Sequence, residues 1–229
     1  VPINTALLPR ITKLWKLKNF EQINFYLKII FLINFSIIIG NAIIISIYSH
    51  EVLLLWTGNF ELADWGSGTL KFYNIGYCAA ALTNTLTIYC FATARLKFLT
   101  IVNLIWALIT IVLFIIAANF FDVFIAGIFW SITNFFLFII FIIYFYNLTK
   151  KEVYWSKILI NITKVILIAV LMLIINFLIK DHLNIYNRLI FLLLIGSMYL
   201  LFLIICIFSI NELKKLMIYY IKLGYKRIS

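Results

Sequence analysis

The side chains of this chain that could do chemistry are mostly uncharged amides and hydroxyls set inside long apolar runs. Asn34 and Asn41 stand seven apart, so they share a helix face, with Ser36 and Ser46 as lesser polar points. Asn84 lies among Thr83, Thr85 and Thr87, with Asn74 further back in the same run. Asn103, Trp106 and Thr110 follow at i, i+3 and i+7, again one helix face. Asn134 sits beside Ser131 and Thr133, and a later run holds Asn161, Thr163 and Asn176. In hydrocarbon such groups must find partners. One reading is hydrogen bonding between helices, worth about 0.6–2 kcal/mol each. The other is a hydrophilic cavity through which a polar headgroup crosses, with Asn34, Asn41, Asn84, Asn103 and Asn134 as candidate liners.

Signals for catalysis are thin, and the chain reads as a non-enzyme without cofactor or metal. His50 and His182 are far apart, and no His, Cys, Asp or Glu cluster has metal-ligand spacing. No Gly-rich phosphate loop is present. Cys78, Cys90 and Cys206 lie in apolar runs at spacings that match no redox motif, so they read as small apolar fillers. No Asp or Glu falls deep within an apolar run, where ion-coupled carriers usually place one.

The elements that would hold these groups follow from composition. Of 229 residues, 66% are hydrophobic and only 12% charged. No soluble fold of this size has enough interior for that much apolar surface, so lipid must be the solvent. A bilayer core needs about 20 mostly apolar residues per helix. That length predicts an all-α integral membrane bundle of six spans: Phe25–Ser49, Thr69–Ala94, Phe98–Ala118, Val123–Tyr146, Ile158–Ile179 and Leu189–Ile210. A β-barrel would need alternation of period two, whereas Ile101–Ile116 and Phe135–Phe145 are apolar all round.

The net charge of +11 is distributed by loop, which favours a membrane over a nucleic acid as its cause. Arg10, Lys13, Lys16 and Lys18 precede the first span, and Arg95 and Lys97 follow the second. Lys150, Lys151 and Lys157 follow the fourth, and Lys214, Lys215, Lys222, Lys226 and Arg227 follow the sixth. The opposite side holds only Lys71, Lys180 and Arg188. The positive-inside rule places both ends of the segment in the cytoplasm. Lys28 and Lys164 sit near the cytoplasmic ends of their spans, where they can snorkel.

Residues 1–24 thus form a cytoplasmic link, 25–210 the bundle and 211–229 a basic tail fit to lie on the inner leaflet. The longest outer loop runs from His50 to Gly68. Its Val52–Trp56 stretch, closed by Gly58, predicts a short interfacial helix. Trp56 and Trp65 suit the headgroup level. The chain begins at Val1 with no signal peptide, as a fragment or trimmed chain would.

Four ordered pieces carry a resemblance. Ala6-Leu7-Leu8-Pro9-Arg10, followed by Lys13, resembles the cytoplasmic link of polysaccharide-exporting flippases. Glu51–Asn59, with Leu55-Trp56-Thr57-Gly58, resembles their next outer loop. Ala92-Thr93-Ala94-Arg95-Leu96-Lys97 is similar to a small-residue basic turn between two later spans. Phe121–Trp130, with Ala126-Gly127, is similar to an aromatic-Gly-x-x-Gly-Ala outer turn, although Asp122 and Ile128 depart from it. These proteins are the O-antigen and lipid-linked oligosaccharide flippases of the multidrug/oligosaccharidyl-lipid/polysaccharide exporter superfamily.

The pieces match the order of such a protein's C-terminal half. The resemblance implies a missing N-terminal half, two bundles around a central cavity, and alternating access. It implies transfer of an undecaprenyl-pyrophosphate-linked oligosaccharide for surface polysaccharide synthesis. Membrane lipids would be the other partners, and Arg10 and Lys28 would attract the pyrophosphate. The alternatives are a multidrug/cation antiporter of the same superfamily, a polysaccharide polymerase or ligase, and a structural membrane subunit. An antiporter would be expected to bury carboxylates in its spans. A polymerase or ligase would need a larger outer loop rich in Arg and His.

Overall fold

The computed structural model describes residues 2–121, 123–149, 155–180, 188–211 and 213–214, and among these it contains no β-strand. Eight helices follow one another: α1 Pro2–Lys16, α2 Phe20–Ile47, α3 Ser49–Thr57, α4 Phe60–Ala92, α5 Leu96–Phe120, α6 Val123–Thr149, α7 Trp155–Lys180 and α8 Arg188–Ser209. By length and hydropathy α2, α4, α5, α6 and α7 can each cross a membrane. The sixth expected span is α8, whose apolar stretch Leu193–Ser209 is shorter. The expected amphipathic tail lies outside the described residues except at its start.

The least hydropathic span is the most buried. The apolar window of α4 has mean hydropathy 1.3 and is 61% buried, whereas that of α5 has 2.8 and is 6% buried. In lipid there is no hydrophobic penalty for facing outward, so the strongly apolar helix goes to the rim. The helix rich in Gly, Ala and Thr goes to the middle, where small residues let backbones approach. Gly76 of α4 shows how close. A Cβ there would lie 2.9 Å from the Cα and 3.0 Å from the amide nitrogen of Ser131 on α6. On the same seam a Cβ at Gly127 would lie 3.0 Å from the Thr69 carbonyl oxygen.

Helices α1, α2, α5 and α6 surround the lower half of α4, around buried Ile11, Tyr89, Phe141 and Phe145. A second core joins α2 to α7 and α8 through Leu32, Tyr48, Val165, Phe191 and Phe202. Tyr48, just beyond the end of α2, is fully buried, and its hydroxyl donates to Asn176 Oδ1 of α7 at 3.2 Å.

Two turns at the same end of the bundle share one design. After α1, Asn19 N donates to Leu14 O and Lys18 N to Trp15 O; after α4, Arg95 N donates to Cys90 O and Ala94 N to Phe91 O. Each is a Schellman closure, which needs a left-handed residue. Here that residue is Lys18 (φ 54°) or Ala94 (φ 56°), where glycine is usual. Asn19 then caps α2 by accepting from Gln22 N at 3.1 Å. The Arg95 guanidinium lies over the Trp15 ring at 5.9 Å and ties the two turns together.

The short helix expected before Gly58 is α3, closed by that residue at φ 68°. The loop expected to run on to Gly68 is instead helical from Phe60, so α4 begins about nine residues earlier than hydropathy predicted. Asn59 caps it by accepting from Leu62 N at 3.2 Å, and Ala63 is fully buried. Helix α3 folds back on these first turns and covers them; a Cβ at Gly66 would lie 3.1 Å from Leu53. Trp56 and Trp65 are 83% and 68% exposed at this end.

Candidate functional site

A groove of about 780 Å³ runs between α5 and α6. From α5 it is lined by Asn103, Trp106, Thr110 and Phe114, and from α6 by Trp130, Asn134 and Leu137. The i, i+3, i+7 spacing read in the sequence is thus one wall, and Asn134 is on the other. The hydroxyl of Thr110 donates to the Trp106 carbonyl at 2.8 Å, and Asn134 Nδ2 donates to the Trp130 carbonyl at 2.9 Å. Both bonds lie within their own helices. The Trp106 and Trp130 indole nitrogens are different: each is buried with no hydrogen-bond partner. An indole N–H can only donate. Left unmet in an apolar setting, each costs about 1–3 kcal/mol. Two residues of the groove wall thus carry unmet donors that are buried beneath its surface, and Asn103, which is exposed, adds an amide.

Aromatic rings extend this wall onto α4. Tyr73 stacks on Trp130 at 5.1 Å and 13°, Tyr77 lies 6.4 Å from it, and Phe114 meets it edge-on at 6.1 Å. Tyr73 and Tyr77 are themselves exposed. Asn84, also exposed, lies two turns along α4 from Tyr77 and so on the same stripe. The neighbouring Asn74 has a buried Nδ2 without a partner.

The remaining candidates are elsewhere. Asn34 is buried in the α2–α4 seam, where its Nδ2 donates to Thr85 Oγ1 at 3.1 Å. Asn41 is exposed on α2. Arg10 of α1 lies 4.4 Å over the Tyr26 ring of α2, which fixes its guanidinium near the basic turns. Lys28 is half-buried on α2 and has a partner of its own. Tyr73, Tyr77 and Trp130 were not among the expected site residues, because their rings meet only through the packing of α6 on α4. One signal was available: tryptophan favours membrane interfaces, yet Trp106 and Trp130 sit well inside their spans.

Five long apolar helices and a rim of lipid-exposed Ile, Leu and Phe define a multi-pass helical membrane protein. Among its described residues no group of three His, Cys, Asp or Glu gathers as a metal site would require. The sequence model of the MatE family matches residues 2–116, half of the chain, from α1 into α5. The chain belongs to that family, whose members are membrane exporters of the multidrug/oligosaccharidyl-lipid/polysaccharide exporter superfamily, transporters and not enzymes. No curated protein and no solved structure matches the chain.

Proposed function

We propose that this exporter carries a lipid-linked oligosaccharide across the bacterial cytoplasmic membrane for surface polysaccharide synthesis, by alternating access. The observation that carries the reading is the α5–α6 groove, with two buried, partnerless indole donors well inside the membrane-spanning helices. Sugar hydroxyls and pyrophosphate oxygens are acceptors that cannot cross hydrocarbon unaided. Neutral donors flanked by aromatic rings can hold them without fixing an ion. Asn103, Asn134 and Asn84 add amides along the same surface, whereas the partnered Asn34 serves the helix seam. Asn41, being exposed, remains a candidate for contact with the cargo or with a second bundle. The basic end, where Lys18, Arg95 and Lys97 gather, faces the cytoplasm. There Arg10, held on Tyr26, and Lys28 attract the pyrophosphate before entry.

The test is complementation of a flippase-null strain with the full-length gene, followed by assay of surface polysaccharide. Restoration is expected with the wild-type gene. Trp106→Phe combined with Trp130→Phe, which keeps the rings but removes both donors, should lose most export at equal membrane abundance. Failure of the abundant wild-type protein to restore polysaccharide would count against the substrate assigned.

A further inference from the structure

A second groove differs in kind from the first. It lies between α7 and α8, has a volume of about 390 Å³, and is walled by Ile168, Leu171, Ile175, Leu201, Phe202 and Ile205. Two polar residues reach it, and both are already satisfied within the chain. Asn176 Nδ2 donates to the Met172 carbonyl at 2.9 Å while its Oδ1 accepts from Tyr48. Ser197 Oγ donates to the Leu194 carbonyl at 2.7 Å. Both polar side chains are engaged within the chain and the rest of the wall is apolar, so it suits an apolar chain better than a polar ligand.

The stripe Ile168, Leu171, Ile175 on α7 is preceded one turn earlier by Lys164, at i, i+4, i+7 and i+11. Lys164 is half-buried and lies on the side of the groove toward the start of α7, the end where α2 also begins. Neither α7 nor α8 contains an Asp or Glu, so no carboxylate from either wall neutralises it. A lysine there can run its stem along the groove and hold its ammonium at the headgroup level.

We infer that the α7–α8 groove is a binding site for an anionic phospholipid of the leaflet at the basic end. One acyl chain lies along Ile168, Leu171, Ile175 and Leu201, and the phosphate pairs with Lys164. This assignment does not rest on the transported substrate. It follows from an apolar trough of acyl-chain character with Lys164, half-buried on the same α7 stripe, one turn from its lining.

The experiment is native mass spectrometry of the full-length protein released from vesicles of equimolar phosphatidylglycerol and phosphatidylcholine. The wild type is expected to retain phosphatidylglycerol preferentially, by about tenfold for a contact of ~1.4 kcal/mol. Lys164→Gln should abolish the preference, and Lys164→Arg should keep it. Leu171→Trp, which fills the trough, should lower retention of both lipids while leaving the charge in place. Equal retention of the two lipids by the wild type, or an undiminished preference in Lys164→Gln, would overturn the assignment. If Lys164→Gln does not accumulate, the Lys164→Arg and Leu171→Trp pair decides: a preference and retention indifferent to filling the trough would equally overturn it.

Discussion

Trp130 joins more of this molecule than any other groove residue. Its ring stacks with Tyr73, its carbonyl accepts from Asn134, and its indole N–H has no partner. Trp130→Phe alone therefore separates packing from recognition. It should leave thermal stability within about 1 kcal/mol, or raise it, because an unmet donor is removed. It should also reduce export measured by surface polysaccharide. Loss of stability with unchanged export would return Trp130 to a packing role. Tyr48 is the contrasting case, a buried donor that is met. Tyr48→Phe leaves the Asn176 oxygen without its donor and should cost about 1–2 kcal/mol in detergent unfolding. Activity should change only as far as abundance does, since this contact pins α2 to α7 away from the polar groove.

At the scale of elements, the bundle is set by where small residues sit and how its turns close. Gly76→Val on the α4–α6 seam pushes a side chain into the Ser131 backbone and should destabilise by about 1–3 kcal/mol. A Cβ at Gly196 of α8 would meet nothing within 4 Å, so Gly196→Ala should be neutral or stabilising by up to ~1 kcal/mol. Thermal melts of the two variants side by side check the pair. Ala94 occupies a left-handed position that an L-residue adopts only at a cost of about 1–2 kcal/mol. Ala94→Gly should thus raise the melting temperature, because that relief exceeds the ~0.4–1 kcal/mol of added freedom in the unfolded chain; an unchanged or lower value would count against strain at this turn. Sequence reading captured α3 and its Gly58 stop because both rest on local chemistry. It placed the start of α4 too late because Glu61, Asp64 and Gly66 lower hydropathy without breaking a helix. Asn59 starts α4 there, and α3 then covers it.

For the whole molecule, the charge asymmetry makes a prediction about topology. Single cysteines placed at Asn59 and at Lys97, in a background lacking Cys78, Cys90 and Cys206, should label oppositely with a membrane-impermeant maleimide on intact cells. Asn59 should react and Lys97 should not; the reverse pattern would invert the assigned orientation. Composition and periodicity by themselves determined that the chain is helical, that it lives in lipid, and which residues share a helix face. Those properties depend on hydropathy and on a repeat of 3.6 residues, which are local. The Asn103–Trp106–Thr110 face was legible for that reason. Which helix would stand opposite it was not, because in hydrocarbon nearly every face of these helices is equally apolar and hydropathy does not rank the pairings. Close approach at Gly76 and Gly127 sets α6 against α4. That contact brings Trp130 beside Tyr73, makes Asn134 the wall facing Trp106, and leaves Asn34 bonded within the α2–α4 seam. Only the tertiary structure could divide five similar asparagines between a groove, an open surface and a helix seam, because that division depends on which backbones can touch.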